Sequence, residues 1–325
     1  MHQRDHRGGF ANIEPFHAIE INQLAYELMS QGRSVIHMQF GQPSTGAPRA
    51  AIAAAHAVLD REAMGYWESP ALLARLSRFY QEAYGVKVEA SRFILTCGAS
   101  PAMVLALSSS FSRDARIAMA RPGYGAYRNT VKALHLQPVE IDCGAASHFR
   151  LTAASVAALD PAPDGLIIAS PANPTGAVIS SGELEAIARV CQERRIQIIS
   201  DEIYHGITYV KPASCILEFD PGAIVVNSFS KYFSMVGWRL GWLLLPPERV
   251  ERARLFQQSV SDRSFAESAC GSGRIRVRRG VGGPRRGLYT ESRTSAGCVA
   301  TAWFAEHRAA GWCILHLCRC RTPDR

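Results

Sequence analysis

The chain has 325 residues, 47% of them hydrophobic and 20% charged, which is enough apolar material for one substantial core and too much for a disordered polymer. Its net charge of +8 would suit a polyanionic partner, but the charge is segregated: residues 1–262 carry 24 basic and 24 acidic side chains, whereas residues 263–325 carry 12 arginines, no lysine and 4 acidic residues. The neutral first part excludes a basic nucleic-acid stripe there, and no run of about 20 apolar residues offers a membrane span.

Met1 to Gly9 lacks the apolar core of a secretion signal. Cys97, Cys143, Cys191 and Cys215 are scattered, and Cys318-Arg-Cys320 in the tail lacks the Cys/His spacing of a structural zinc site. Both features lead us to expect a cytoplasmic protein without a metal. Short apolar runs then alternate with amphipathic stretches, the pattern of an α/β fold. In chain order the pattern predicts a helix over 71–84, a strand over 93–97, a helix over 100–110, strands over 116–120 and 165–169, a helix over 181–194, and strands over 196–200, 223–228 and 240–245. Ser180 and Glu183 have the spacing of a capping box at the start of the 181–194 helix. No internal repeat is present.

Chemistry-bearing residues follow several of these strands, at the edge where open α/β sheets gather ligands. Gly98-Ala99-Ser100 joins strand 93–97 to helix 100–110, so its backbone N–H groups can cradle a phosphate, although a plain strand-to-helix turn needs the same residues. Asn173, in Ser170-Pro-Ala-Asn-Pro-Thr-Gly176, sits in a turn past strand 165–169; by itself it is equally a turn former. Asp201 and Tyr204, in Ser200-Asp-Glu-Ile-Tyr204, follow strand 196–200, where a helix cap and a core tyrosine are the plain alternatives. Asn227-Ser-Phe-Ser-Lys-Tyr-Phe-Ser-Met-Val-Gly-Trp-Arg239 then sets Lys231 between hydroxyls, with an arginine eight positions on. That combination suits a cofactor with both an aldehyde and a phosphate: Lys231 can condense with the aldehyde as a Schiff base while Ser228, Ser230 and Arg239 hold the phosphate. A surface lysine and a surface ion-pair arginine are the alternatives for either residue taken alone.

The ordered set N-P-T-G at 173–176, S-D-E-I-Y at 200–204 and S-x-S-K followed by G-W-R-L-G at 228–241 resembles the fold-type I pyridoxal-phosphate enzymes, and within them the class I/II aminotransferases, over about residues 14–262. The resemblance implies a three-layer α/β large domain with a mostly parallel sheet over 46–262, and a smaller domain built from an N-terminal arm, 1–45, and the C-terminal part. It implies pyridoxal 5'-phosphate as cofactor, amino acids and 2-oxo acids as substrates, and a homodimer. It makes Lys231 nucleophile and proton carrier, Asp201 the partner of the pyridine nitrogen, and Asn173 and Tyr204 the partners of the ring oxygen. Tyr124, in Arg121-Pro-Gly-Tyr-Gly-Ala-Tyr127, matches the aromatic stacked on the ring. Tyr66 matches a tyrosine that reaches the phosphate of the other subunit, and Gly41, in Phe40-Gly-Gln-Pro43, matches a substrate-side loop. Other fold-type I chemistries, C–S lyase and decarboxylase among them, share every one of these motifs, as would a truncated, inactive relative.

The tail departs from the pattern. After Val250 to Val260, where the resemblance implies a helical closure of the large domain and then an α/β small domain, the sequence turns rich in Arg, Gly and Cys without sustained periodicity, and the arginine expected to grip the substrate carboxylate is not recognisable. The abrupt change in composition leads us to expect that residues 263–325 are translated out of frame or come from a rearranged gene.

Overall fold

The structure is a computed structural model that describes residues 13–60, 68–209 and 211–260. Its centre is a sheet of seven strands, β1 (Phe93–Thr96), β2 (Arg116–Arg121), β3 (Gln137–Asp142), β4 (Gly165–Ala169), β5 (Gln197–Asp201), β6 (Ile224–Ser228) and β7 (Gly241–Leu244), in the order β1-β7-β6-β5-β4-β2-β3. The ladders from β3 to β6 are parallel, and β7 runs antiparallel to both β1 and β6. The expected mostly parallel α/β sheet is therefore present.

Side chains alternate along these strands, yet both alternating sets are apolar. Leu95, Leu166, Ile168, Ile198, Val225 and Trp242 enter one core cluster, while Ile94, Ile167, Ile199, Val226 and Leu243 enter another on the opposite face. A sheet covered on both sides requires this double hydrophobic load. The helices supply the two covers. α3 (Pro70–Tyr84), α6 (Ala153–Ala157) and α7 (Ser181–Arg194) give buried residues to the first cluster, and α4 (Ala99–Ser110), α5 (Gly125–Ala133) and α8 (Pro247–Val260) to the second. Helices α1 (His17–Ser30) and α2 (Arg49–Leu59) precede this three-layer body.

Local chemistry sets the helix ends. Ser69 caps α3 by accepting the Leu72 N–H at 3.2 Å, Pro70 occupies its first turn, and Gly85 ends it at φ +73°. The capping box expected at α7 is only half made. Ser180 Oγ accepts the Glu183 N–H, but the Glu183 carboxylate accepts the Ala153 N–H at 2.6 Å and so ties α7 to α6.

Each predicted strand and helix is found within a residue or so of its expected ends. The sequence pattern did not reveal β3, whose Pro138 and alternating polar residues suit an edge strand paired on one side only. No helix among the described residues is long and apolar enough to cross a membrane.

Candidate active site

Four strand ends converge on Lys231. β1 leads into Gly98 and α4, β4 into the Ser170–Gly176 turn, β5 ends on Asp201, and β6 ends on Ser228 just before the lysine. This convergence follows from the sheet order, which places β4, β5 and β6 side by side in parallel.

At the β1 end, Gly98 adopts φ +104° and ψ 178°, a conformation open essentially to glycine alone. A Cβ there would lie 2.5 Å from Arg239 Nη2, and one on Gly241 would lie 2.8 Å from the Gly98 carbonyl carbon and 2.9 Å from Asn227 O. Two glycines thus let three backbone segments and one guanidinium close on each other. Arg239 is itself left-handed at φ +51°, and donates to Cys97 O and Val236 O at 3.0 Å each while the residue stays exposed. Ser228 and Ser230 are buried beside it, the Ser230 N–H donating to Ser228 Oγ at 3.1 Å. No side chain caps α4, and Ala99 and the exposed Ser100 form its first turn. Backbone N–H groups, two hydroxyls and a guanidinium are thus gathered at one end of the sheet, a set of donors whose chemistry suits an anion.

At the β5 end the polar groups are buried. Asp201 is 6% exposed, and its carboxylate accepts the Tyr127 hydroxyl at 2.5 Å and the Ile203 N–H at 3.1 Å. Burial pushes its pKa above the ordinary carboxylate value, opposed by those two donors and by the charge of Lys231. Asn173 Nδ2 donates to the Tyr204 hydroxyl at 3.4 Å, which brings together two motifs 31 residues apart. Tyr124 packs edge-on to Tyr127, ring centres 5.3 Å apart, and edge-on to Phe16 at 5.8 Å. The arm is held there just before Phe16, where Glu14 meets Arg128 and Lys132 and its backbone carbonyl accepts from Asn129 at 2.9 Å.

Lys231 lies between these ends, partly buried. Its Nζ donates to Gly41 O at 2.8 Å and stands 5.9 Å from the centre of the Tyr204 ring. Burial lowers its basicity, Asp201 raises it, and the positive charge of Arg239 lowers it again. The arm carrying Gly41 is tied down a second time by Thr45 Oγ1 and Ser234 Oγ, 2.8 Å apart. Twelve of the thirteen residues singled out in the sequence therefore fall in one neighbourhood or on the turns that border it, and Tyr66 lies outside the described residues.

Two participants escaped the sequence reading. Tyr127 stands in the quoted Arg121–Tyr127 stretch, three residues after Tyr124 on the next helical turn, but nothing in that spacing says that it meets Asp201. Gly241 belongs to the quoted G-W-R-L-G run; only its place between β1 and β6, with Gly98 and Asn227 O against it, explains why it must be glycine.

The family model for aminotransferases of class I and II matches residues 33–272. The chain belongs to that family. A valine–pyruvate aminotransferase of Mycobacterium tuberculosis is 42% identical over 241 residues, which cover 73% of this chain and 62% of that protein. A (5-formylfuran-3-yl)methyl phosphate transaminase of Methanocaldococcus jannaschii is 31% identical over 77% of this chain and 66% of its own length. The chain thus spans somewhat less than two thirds of these relatives. A crystal structure of an aminotransferase from Mycobacterium tuberculosis superposes with a TM-score of 0.78 at 38% identity, covering 82% of this chain and 70% of that one.

The cofactor of this family is pyridoxal 5'-phosphate. The residues present fit it. The Arg239 guanidinium drawn in against Gly98, with Ser228 and Ser230 nearby, suits the phosphate, and a desolvated lysine amine suits the aldehyde. A buried carboxylate with its own supporting hydroxyl suits a protonated ring nitrogen. Among the described residues no cluster of His, Cys, Asp or Glu is arranged to hold a metal ion.

Proposed function

We propose that the chain is a pyridoxal-phosphate-dependent aminotransferase that moves an amino group between an amino acid and a 2-oxo acid, with Lys231 as the residue that bonds the cofactor. The observation that carries this reading is the setting of Lys231, a desolvated amine placed where Asp201, Tyr204 and the Gly98–Arg239 contact converge. When bound, pyridoxal phosphate supplies an aldehyde that takes up the amino group and a ring that takes up the electron pair left when the substrate loses its α-proton.

The chain's own residues then have separable tasks. Lys231, its basicity lowered by burial, is the chain's amine at the site and can carry the proton to and from the substrate α-carbon at Nζ. Asp201 holds a positive charge at the ring nitrogen, with the Tyr127 hydroxyl fixing the carboxylate. Asn173 and Tyr204, held against each other, would donate to the ring oxygen, and Tyr124, packed on Tyr127, would flank the ring. Ser228, Ser230, Arg239 and the first turn of α4, with Gly98, Ala99 and Ser100, hold the phosphate. Gly41 approaches the substrate with its backbone, and a second copy of the chain completes the site through Tyr66. The valine–pyruvate relative supports an aliphatic amino donor and pyruvate as the first pair to try.

Borohydride reduction of the full chain with added pyridoxal phosphate, followed by mass mapping, tests the reading. The expected outcome is a reduced cofactor label on Lys231 and loss of both label and visible absorbance in Lys231→Ala. A wild-type chain without label on Lys231 would sink it. Incubation of the labelled-competent protein with valine and pyruvate should yield alanine; ammonia, carbon dioxide or a sulfur product from other amino acids would instead point to a lyase or decarboxylase.

A further inference from the structure

One buried histidine beside the site has no task in the reading above. His205 follows Tyr204 and is 7% exposed. Its Nε2 lies 3.0 Å from Ser170 O, and since a carbonyl only accepts, Nε2 carries a hydrogen and donates it. On the other edge of the ring, Nδ1 faces the Tyr84 hydroxyl at 2.9 Å and Glu202 Oε2 at 3.5 Å. Glu202 is 1% exposed; its Oε1 accepts from Ser200 Oγ at 3.1 Å and from the Ile216 N–H at 2.9 Å, and the Cys215 thiol is a further partner of the carboxylate. Tyr80 on α3 and Cys215 and Glu218 before β6 complete the titratable groups around that carboxylate.

The placement of this bond matters. The β4–β5 ladder ends at the pair Ala169 and Asp201. Beyond it the two segments diverge, one into the turn that carries Asn173 and the other into the turn that carries Tyr204. His205 Nε2 to Ser170 O joins them again, and Ser170 Oγ accepts the Ile179 N–H at 2.9 Å on the far side of the same turn. The Asn173–Tyr204 contact, at 3.4 Å, is long for a hydrogen bond and cannot by itself fix the separation.

We propose that His205 is a positioning residue for the pyridine end of the site: by holding Ser170 it sets the distance between Asn173 and Tyr204, and the Tyr84 hydroxyl, donating to Nδ1, holds its ring in the orientation that does so. This rests on the function proposed above, because those two donors would share the ring oxygen of pyridoxal phosphate.

The test measures binding of pyridoxal phosphate to the full chain by tryptophan fluorescence, competition by inorganic phosphate, and the pH midpoint of the visible absorbance of the loaded protein. His205→Leu should weaken pyridoxal phosphate about tenfold, the size expected for one displaced buried hydrogen bond. It should leave competition by inorganic phosphate within about twofold, since the Gly98–Arg239 end is not touched, and raise the absorbance midpoint by about one unit, because misplaced donors no longer favour the deprotonated ring oxygen. His205→Gln, whose amide can still donate to Ser170 O, should recover most of each change. Should His205→Leu not fold, His205→Asn replaces it, being too short to reach Ser170. Affinity and midpoint equal to wild type in the variant, or equal loss of phosphate and pyridoxal phosphate without rescue by Gln, overturns the inference. Lys231 label in wild type separates that outcome from failure of the proposed function; no uptake by wild type overturns both.

Discussion

The two ends of the site are built on opposite principles. The β5 end is buried: Asp201, Tyr127, Tyr204, Glu202 and His205 are all below 10% exposed, and each polar group is placed by another side chain, often from a distant element. The β1 end works by backbone approach, with Gly98 and Gly241 in contact and an exposed Arg239 folded over them in a left-handed conformation. A buried end gains precision at an electrostatic cost, because every charge there has lost water and leans on its partners. A glycine-built end has little electrostatic cost but tolerates no added atom. One region should therefore respond to loss of a donor and to pH, the other to volume.

Four measurements can break that contrast, from the largest effect to the smallest. Gly241→Ala should destabilise the apoprotein by about 3 kcal/mol in urea titration, at the upper end for overpacking, because the new Cβ meets backbone atoms that no rotamer change can move. A loss under about 0.5 kcal/mol would show the contact to be loose. Glu202 should make the apoprotein pH-sensitive. Burial holds its folded pKa at about 7 against an ordinary 4.5, so the folded state binds the extra proton and stability falls as pH rises from about 4.5 through about 7. The loss is roughly 3 kcal/mol, to which Asp201 adds in the same direction. Glu202→Gln should flatten the slope in that window; an unchanged slope would remove Glu202 as its source. Tyr127→Phe takes the hydroxyl from a buried carboxylate and should cost about 2 kcal/mol in stability, with a further rise in the Asp201 pKa seen by titration of the apoprotein. Ser228→Ala removes one neutral acceptor from the Ser230 N–H and should cost about 1 kcal/mol, with weaker competition by inorganic phosphate as the second readout.

Legibility in the sequence divides along the same line as the chemistry. β4, β5 and β6 could be read because a buried parallel strand is a short, nearly unbroken apolar run, and Gly165-Leu-Ile-Ile-Ala169 or Ile196-Gln-Ile-Ile199 can do little else. β3 was hidden by Pro138 and by an edge position that relaxes the apolar requirement. α1 escaped for a related reason: Ile19, Ile21, Leu24 and Tyr26 are exposed among the described residues, so its apolar residues do not follow the one-faced helical pattern of a packed helix. At α7, the spacing of Ser180 and Glu183 was read as a reciprocal cap, and the glutamate was drawn off by the Ala153 N–H on α6, a competitor that no local pattern contains.

By itself the sequence determined the strand runs, the order of the three motifs and the residue types that a lysine-bonded, phosphate-bearing cofactor requires, because those depend on short-range periodicity and on functional-group chemistry. Only the tertiary structure decided that Tyr127 supports Asp201 from 74 residues away, that Gly241 must be glycine because Gly98 lies against it, and that His205 reaches back 35 residues to Ser170. The physical reason is strand order: β5 lies between β4 and β6, and β7 between β6 and β1, so contacts at the sheet's edge are set by which crossovers the chain makes, and residue spacing along the chain carries no record of that choice.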